Sequence, residues 1–234
     1  MTGILDFHSH ILPAVDDGSR SVEESRTMLG MMRRQGTEVL CATPHFHALY
    51  EPVHPFLEKR QAAAEKLASL PDIPEIRLGA EVAYSAGISE MKNLEKLCIQ
   101  GTDFLLVEMP QRAWSDYELD ELGSLSLERH VSVVLAHAER CLPAQGKGIW
   151  HQLKEWDVFI QCNGEFFNWW RSRKHALAHL QNGTVDFLGS DSHRSNRRKP
   201  NLEEAYQHIA KAMGQEKAEA FAAYQRRLFD EHKR

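Results

Sequence analysis

The sequence predicts an α/β fold, a parallel sheet with helices packed outside it. Three observations lead there. Seven short apolar runs, β-branched or aromatic and bounded by polar or turn residues, recur along the chain. Helix-like stretches separate most of them. The length of 234 residues suits one large α/β unit with a sizeable core. Right-handed crossovers then put every strand C-terminus on one face. The pattern leaves open whether the sheet closes into a barrel.

The elements follow in order. Residues 4–7 form the first strand. Ser21 caps the first helix, with Glu24 three residues on as its capping-box partner. Met28, Met31 and Met32 supply its apolar positions, and Gly36 falls where the helix stops. Strands follow at 39–43, 76–82, 104–109, 131–136, 158–162 and 185–189. Helices are expected at 55–69, 116–129 and 175–180, and residues 201–233 read as helical almost throughout. The chain has no linker, low-complexity tract or internal repeat, so a single domain over residues 1–234 is expected.

Composition narrows the function. Hydrophobic residues make up 42% and charged residues 26%, the balance of a soluble globular protein. A net charge of -5 argues against a general nucleic-acid or membrane-surface binder. No apolar run approaches a spanning helix, and the N-terminus lacks a basic region and an apolar signal core, so a cytoplasmic protein is expected. Cys41, Cys98, Cys141 and Cys162 form no C-x-x-C pair and suit reduced core thiols. The positions six residues after them are His47, Phe104, Lys147 and Asn168, so the C-x5-R loop of a cysteine phosphatase is absent.

Residues able to ligate metal stand at the same end of nearly every strand. Asp6-Phe7-His8-Ser9-His10 closes the first, and histidines at i and i+2 on a strand share a side. Asp17 lies in the following loop. His45 ends the second strand, Glu81 the third, Glu108 the fourth, His137 the fifth, and Asp191 with His193 the seventh. The sixth ends at Cys162-Asn163-Gly164 without an obvious ligand. An unpaired charge buried beyond an apolar strand is costly, and several neighbouring carboxylates repel unless cations neutralise them. Gathered at one mouth, these groups would give metal ions mixed nitrogen and oxygen donors.

At these residues the sequence resembles the polymerase and histidinol phosphatase family. Asp6-Phe7-His8-Ser9-His10-Ile11-Leu12-Pro13 with Asp16-Asp17-Gly18-Ser19 is similar to its branch of manganese-dependent tyrosine phosphatases from bacterial capsule and exopolysaccharide operons. Gly79-Ala80-Glu81, Ala136-His137-Ala138-Glu139-Arg140 and Ser190-Asp191-Ser192-His193 follow in the same order. The resemblance implies a single-domain distorted (β/α)7 TIM-like barrel with three divalent ions, Mn2+ foremost and Fe2+ or Zn2+ as alternatives, at the C-terminal ends of the strands. It implies that His8, His10, Glu81 and Asp191 hold the first ion. Glu81 would bridge to a second, completed by Glu108 and His137, and Asp17, His45 and His193 would hold the third. Arg140 and Arg198 would bind phosphate, with the adjacent Arg197 as the alternative to Arg198.

An amidohydrolase barrel also uses His-x-His. It adds a bridging lysine on the fourth strand, where this chain has Glu108, and histidines on the fifth and sixth, where the sixth ends in Asn163.

The activity so implied is hydrolysis of phosphotyrosine by a metal-activated water, with Asp17 or a metal-site histidine as possible general acid. The implied partner is a phosphotyrosine protein, the tyrosine-rich tail of a membrane-bound bacterial tyrosine autokinase controlling polysaccharide synthesis. Two other readings stand beside it: a small-molecule phosphatase such as histidinol phosphatase, and a non-catalytic metal-binding regulator.

Other features read as ordinary structure. His175 and His179 suit a solvated helix face, and His47 a plain loop. His54, His130, His151, His208 and His232 have no supporting context. The run Phe166-Phe167-Asn168-Trp169-Trp170 is expected to pack into the core rather than wall a substrate ring, with Trp114 and Tyr117 ambiguous. Arg171, Arg173, Lys174, Arg194, Arg197, Arg198 and Lys199 would make a basic rim on the active face, favourable to an anionic phosphopeptide.

Overall fold

A computed structural model describes residues 3–129, 131–146 and 148–234. His130 and Lys147 lie outside the described residues, as does the side chain of His151. The strands are β1 (Ile4–Ser9), β2 (Thr37–Ala42), β3 (His45–Phe46), β4 (Glu75–Leu78), β5 (Glu81–Ala83), β6 (Phe104–Glu108), β7 (Ser132–Leu135), β8 (Phe159–Asn163) and β9 (Phe187–Gly189). Between and after them come α1 (Val22–Arg34), α2 (Val53–Glu65), α3 (Asp116–Glu128), α4 (Ile149–Glu155), α5 (Gly164–Asn168), α6 (Arg173–Gln181), α7 (Leu202–Met213) and α8 (Gln215–Glu231). The β5–β6 connection departs from the alternation, carrying only the 3-10 turns Ile88–Glu90 and Leu94–Leu97.

Every strand pairing is parallel among the described residues. One ladder runs β1-β2-β4 and the other β3-β5-β6-β7-β8-β9. The third expected strand is thus split in two at Gly79-Ala80, and the second is followed by the short β3 beyond its expected end, after Pro44, which has no N–H to give a ladder. Bonds across the gaps keep both lines in step: Gly79 N donates to Ala42 O at 2.8 Å and Glu81 N to Pro44 O at 3.0 Å. The sheet curls until β1 meets the residues after β9. There Asp191 N donates to His8 O at 2.8 Å, and His10 N to Ser192 O at 3.0 Å.

Leu5, Phe7, Val39, Cys41, Phe104, Leu106, Val134, Ala136 and Phe187 form one core cluster, drawn from five strands and closed by Phe229 of α8. Phe7 stacks on Phe187 with ring centroids 4.0 Å apart and meets Phe104 edge-on at 5.5 Å. Two further clusters bind the sheet to the helices. Ser21 caps α1 by accepting from Glu24 N. The Glu24 carboxylate does not complete the capping box; it accepts from Arg20 N and Arg194 instead. Gly36 follows α1 at φ 87°, a left-handed stop that glycine adopts without strain. Gly214, at φ 97°, breaks the C-terminal helical stretch into α7 and α8. Among the described residues no helix is long and apolar enough to cross a membrane.

Candidate metal centre

The curled sheet brings all nine expected ligand residues to one end, around Glu81 at the start of β5. Glu81 is fully buried. Its Oε2 lies 3.2 Å from His8 Nε2, 3.2 Å from His10 Nε2 and 3.0 Å from His45 Nδ1. Its Oε1 lies 2.8 Å from His137 Nε2, which is itself 3.4 Å from Glu108 Oε1. Asp191 completes the first group, with Oδ1 3.4 Å from His10 Nε2 and 3.8 Å from His8 Nε2. On the solvent side Asp17 Oδ1 stands 3.5 Å from His45 Nε2 and 3.4 Å from His193 Nε2. The Asp17 side chain is 66% exposed, the most open of these ligand candidates.

Donor atoms close enough to share an ion occur in three sets: His8, His10 and Asp191; His10, Asp17, His45 and His193; and His45, Glu81 and Glu108. Against the groups the resemblance implies, the first set lacks Glu81, the second adds His10, and the third has His45, which leans toward Glu81, in place of His137.

Polar neighbours set which ring nitrogens face inward. Asp16 Oδ2 lies 2.7 Å from His10 Nδ1, and a carboxylate can only accept, so Nδ1 carries the hydrogen and Nε2 points into the cluster. Asp16 also accepts from His45 N at 3.0 Å and Gly18 N at 2.9 Å, tying two site loops together. A Cβ on Gly18 would lie only 2.5 Å from His10 Cβ, so only glycine fits that turn. Three site residues, His137, Asp191 and Arg198, hold the left-handed backbone region at φ 31°, 48° and 50°. Non-glycine residues there carry strain of about 1–3 kcal/mol each, a feature that clusters at functional sites.

The electrostatics show a site that calls for positive charge. Burial alone would raise the Glu81 carboxyl, but His8, His10, His137 and His45 hold it well below its usual range. Burial works against a proton on His8, yet Glu81 and Asp191 lift its pKa above 6.5. His10 also overcomes burial and is lifted well above 6.5 by Asp16, Asp191 and Glu81. His193 goes the other way, pushed down to about 4 by burial and by His10 and Arg198. Glu81 Oε2 is buried without a hydrogen-bond donor. Converging Nε2 atoms, an orphaned carboxylate oxygen and mixed nitrogen and oxygen donors fit divalent transition ions.

Two clefts of about 500 and 630 Å3 open beside this cluster. Asp17, His193 and Arg194 line the first, Arg140, Asn163, Asp191 and Lys199 the second, and Arg197 and Arg198 both. Arg140 Nη2 lies 2.7 Å and Arg198 Nη2 2.5 Å from Asp191 Oδ2. Arg198 Nη1 also donates to His193 Nε2 at 3.0 Å.

The features set aside in the sequence sort out individually. Phe167 is buried and Phe166 packs against the core, but Trp169 and Trp170 are exposed, with the Arg171 guanidinium 5.6 and 5.0 Å from their rings. Trp114 is buried and donates to Pro110 O, whereas Tyr117 is exposed. His175 and His179 line a separate cavity of about 410 Å3 with Glu139, Cys162 and Phe166. The ring of His47 lies 5.8 Å from that of His45. All four cysteines are buried, and burial pushes the Cys98 and Cys141 thiols up to about 12. Cys41 and Cys162 are raised well above 9 by the same cause.

Reading strand ends gave no role to three residues at the centre: Asp16, Gln161 and Asn163. The signal for the β8 pair was present. Gln161 and Asn163 are polar, at i and i+2, in an otherwise apolar run.

The family described as capsular polysaccharide synthesis, CpsB/CapC, matches residues 4–227. The tyrosine-protein phosphatase CpsB of Streptococcus agalactiae serotype V is 28% identical over 233 residues, covering 92% of this chain and 93% of that protein. The tyrosine-protein phosphatase YwqE of Bacillus subtilis is 25% identical over 225 residues, covering 91% and 86%. Among solved structures, one from a study of YwqE from B. subtilis and CpsB from Streptococcus pneumoniae, described as metal-dependent tyrosine phosphatases, superposes with a TM-score of 0.84. It has 22% identity and covers 99% of this chain and 96% of the other. A chain of archaeal ribonuclease P shares the fold more distantly, at a TM-score of 0.61 and 11% identity, over 97% of this chain and 90% of that one.

Proposed function

This chain belongs to the CpsB/CapC family of capsular polysaccharide synthesis, and on that premise we propose that it is a metal-dependent protein-tyrosine phosphatase. The single observation that carries the reading is the convergence of His8, His10, His45, His137, Asp191 and Glu108 around the buried Glu81. A single domain over residues 1–234 is proposed, as a distorted (β/α)7 barrel. Counting β2 with β3 and β4 with β5 leaves seven strand lines, and the bonds joining His8 and His10 to Asp191 and Ser192 support closure.

Three divalent ions are proposed, Mn2+ foremost, with Fe2+ or Zn2+ compatible with the donors. His8, His10, Glu81 and Asp191 would hold the first. Glu81, Glu108 and His137 would hold the second, and Asp17, His45 and His193 the third. Such ions supply water activation and charge neutralisation for in-line phosphoryl displacement.

The chain's own groups do the rest. Arg140 and Arg198 reach Asp191 Oδ2 from the clefts, and their planar forks suit the oxygens of an incoming phosphate. Asp17, exposed at the solvent side, would assist the departing phenolate. A phenolate leaves more readily than an alkoxide, so this assistance matters less than grip on the phosphate. The basic rim of Arg194, Arg197 and Lys199 would draw in an anionic segment. The substrate proposed is the phosphorylated tyrosine-rich tail of a membrane-bound bacterial autokinase, met in the cytoplasm.

The test compares kcat/KM of the Mn2+-loaded enzyme on a phosphotyrosine peptide and on histidinol phosphate. Preference for the peptide is expected. Preference for histidinol phosphate would reassign the substrate to a small molecule.

A further inference from the structure

We propose that β8, which carries no metal ligand, is the strand that orients the ligands, through Gln161 and Asn163 as positioning residues. The proposal rests on the metal-site reading above.

The two side chains stand at i and i+2 and share a face of the strand. Both are buried. Gln161 Oε1 receives His137 N at 2.8 Å and faces His8 Nδ1 at 3.1 Å. Gln161 Nε2 donates to Asn163 Oδ1 at 3.0 Å, and Asn163 Nδ2 donates to Asp191 Oδ2 at 2.8 Å. A backbone N–H can only donate and a carboxylate can only accept, so both ends of this chain have one sense. The orientations of both amides follow without choice. Because Gln161 Oε1 is thereby fixed as an acceptor, His8 Nδ1 must carry hydrogen, leaving Nε2 to face Glu81 and Asp191.

One relay therefore sets the tautomer of His8, the left-handed turn at His137 and the rotation of Asp191. These residues come from three different strand ends. Gly189 of β9 holds the relay from behind: a Cβ there would lie 2.5 Å from His8 Cβ and 2.9 Å from Gln161 Nε2. Glutamine and asparagine suit this task because each donates and accepts without adding charge to a site already crowded with carboxylates. Groups that orient metal-binding histidines in this way govern affinity as well as geometry.

The test uses Mn2+ itself, its dissociation constant read by competition with a chromophoric chelator, and Co2+, whose visible absorption reports ligand geometry. Gln161→Met removes both hydrogen-bonding ends at similar size. It should weaken Mn2+ binding by about 10- to 100-fold and alter the Co2+ spectrum. Gln161→Glu keeps the acceptor for His8 and His137 N but loses the Nε2 donor to Asn163 and adds a charge, so it should recover only part of that affinity. Wild-type affinity and spectrum in a folded Gln161→Met protein would overturn the proposal. Should Gln161→Met not fold, Asn163→Ser reads the same relay at its other end, where unchanged Mn2+ affinity would overturn it equally. His8→Ala separates the two readings. If it binds Mn2+ as tightly as wild type, the ligand assignment fails. If it loses the ion while the Gln161 and Asn163 variants keep it, only the positioning role fails.

Discussion

Asp191 divides its oxygens between two tasks. Oδ1 faces His8 and His10, whereas Oδ2 takes Asn163, Arg140 and Arg198. Burial would raise its carboxyl, but His10, His8 and Arg198 hold it far below the usual carboxylate range, so it remains charged through any working pH. The same contact distinguishes the adjacent arginines. Arg198 reaches Asp191 and His193, while Arg197 lines the clefts. Replacing Arg198 with alanine should lower kcat/KM on a phosphotyrosine peptide by about 10- to 100-fold, since charge-assisted bonds to phosphate are worth about 1.5–3 kcal/mol. Arg198→Lys should recover only part of this, because a point charge does not reproduce the fork. Arg197→Ala should stay within about fivefold of wild type, a surface ion pair being worth about 0–1 kcal/mol. A larger loss at Arg197 than at Arg198 would exchange their roles. Burial raises all four cysteine thiols, which disfavours a thiolate able to attack a phosphate.

The strands show what their sequence could and could not disclose. Charged residues directly after apolar runs were legible as site candidates because such positions tolerate a charge only with a partner, and the nine named residues do meet. The split at Gly79 and the short β3 after Pro44 were harder to see, since an apolar pattern does not show where a ladder breaks. Gln161, Asn163 and Asp16 escaped because a neutral amide inside a strand, or the first of two adjacent aspartates, looks like ordinary polar structure until its partners are known. Close packing enforces the arrangement where β9 meets β1. Gly189→Ala would set a methyl group against His8 Cβ and N, and overpacking of this kind costs about 1–3 kcal/mol. A lowered midpoint in urea, together with weaker Mn2+ binding, is expected; an unchanged midpoint and affinity would show that β1 and β9 separate more easily than their bonds indicate.

Across the whole molecule, the site links stability to pH and to metal. In the metal-free protein His8 and His10 have raised pKa values despite burial, because carboxylates surround them. Their contribution is complete below the unfolded value of 6.5 and is lost as pH climbs through the raised values. Glu81 and Asp191 have lowered values, so theirs is present above the ordinary carboxylate range and is lost as pH falls through the lowered ones. The melting temperature of metal-free protein should therefore drop as pH rises above 6.5. Added Mn2+ should reverse the drop, because ions replace the departing protons and bind better as protons leave. A metal-free melting temperature that rises over the same span would contradict the assigned protonation. The most direct measurement of the central claim is kcat/KM on a phosphotyrosine peptide before chelation, after exhaustive chelation, and after Mn2+ is returned. Activity should vanish on chelation and come back with the metal; turnover that survives the removal of every ion would contradict a metal-dependent phosphatase.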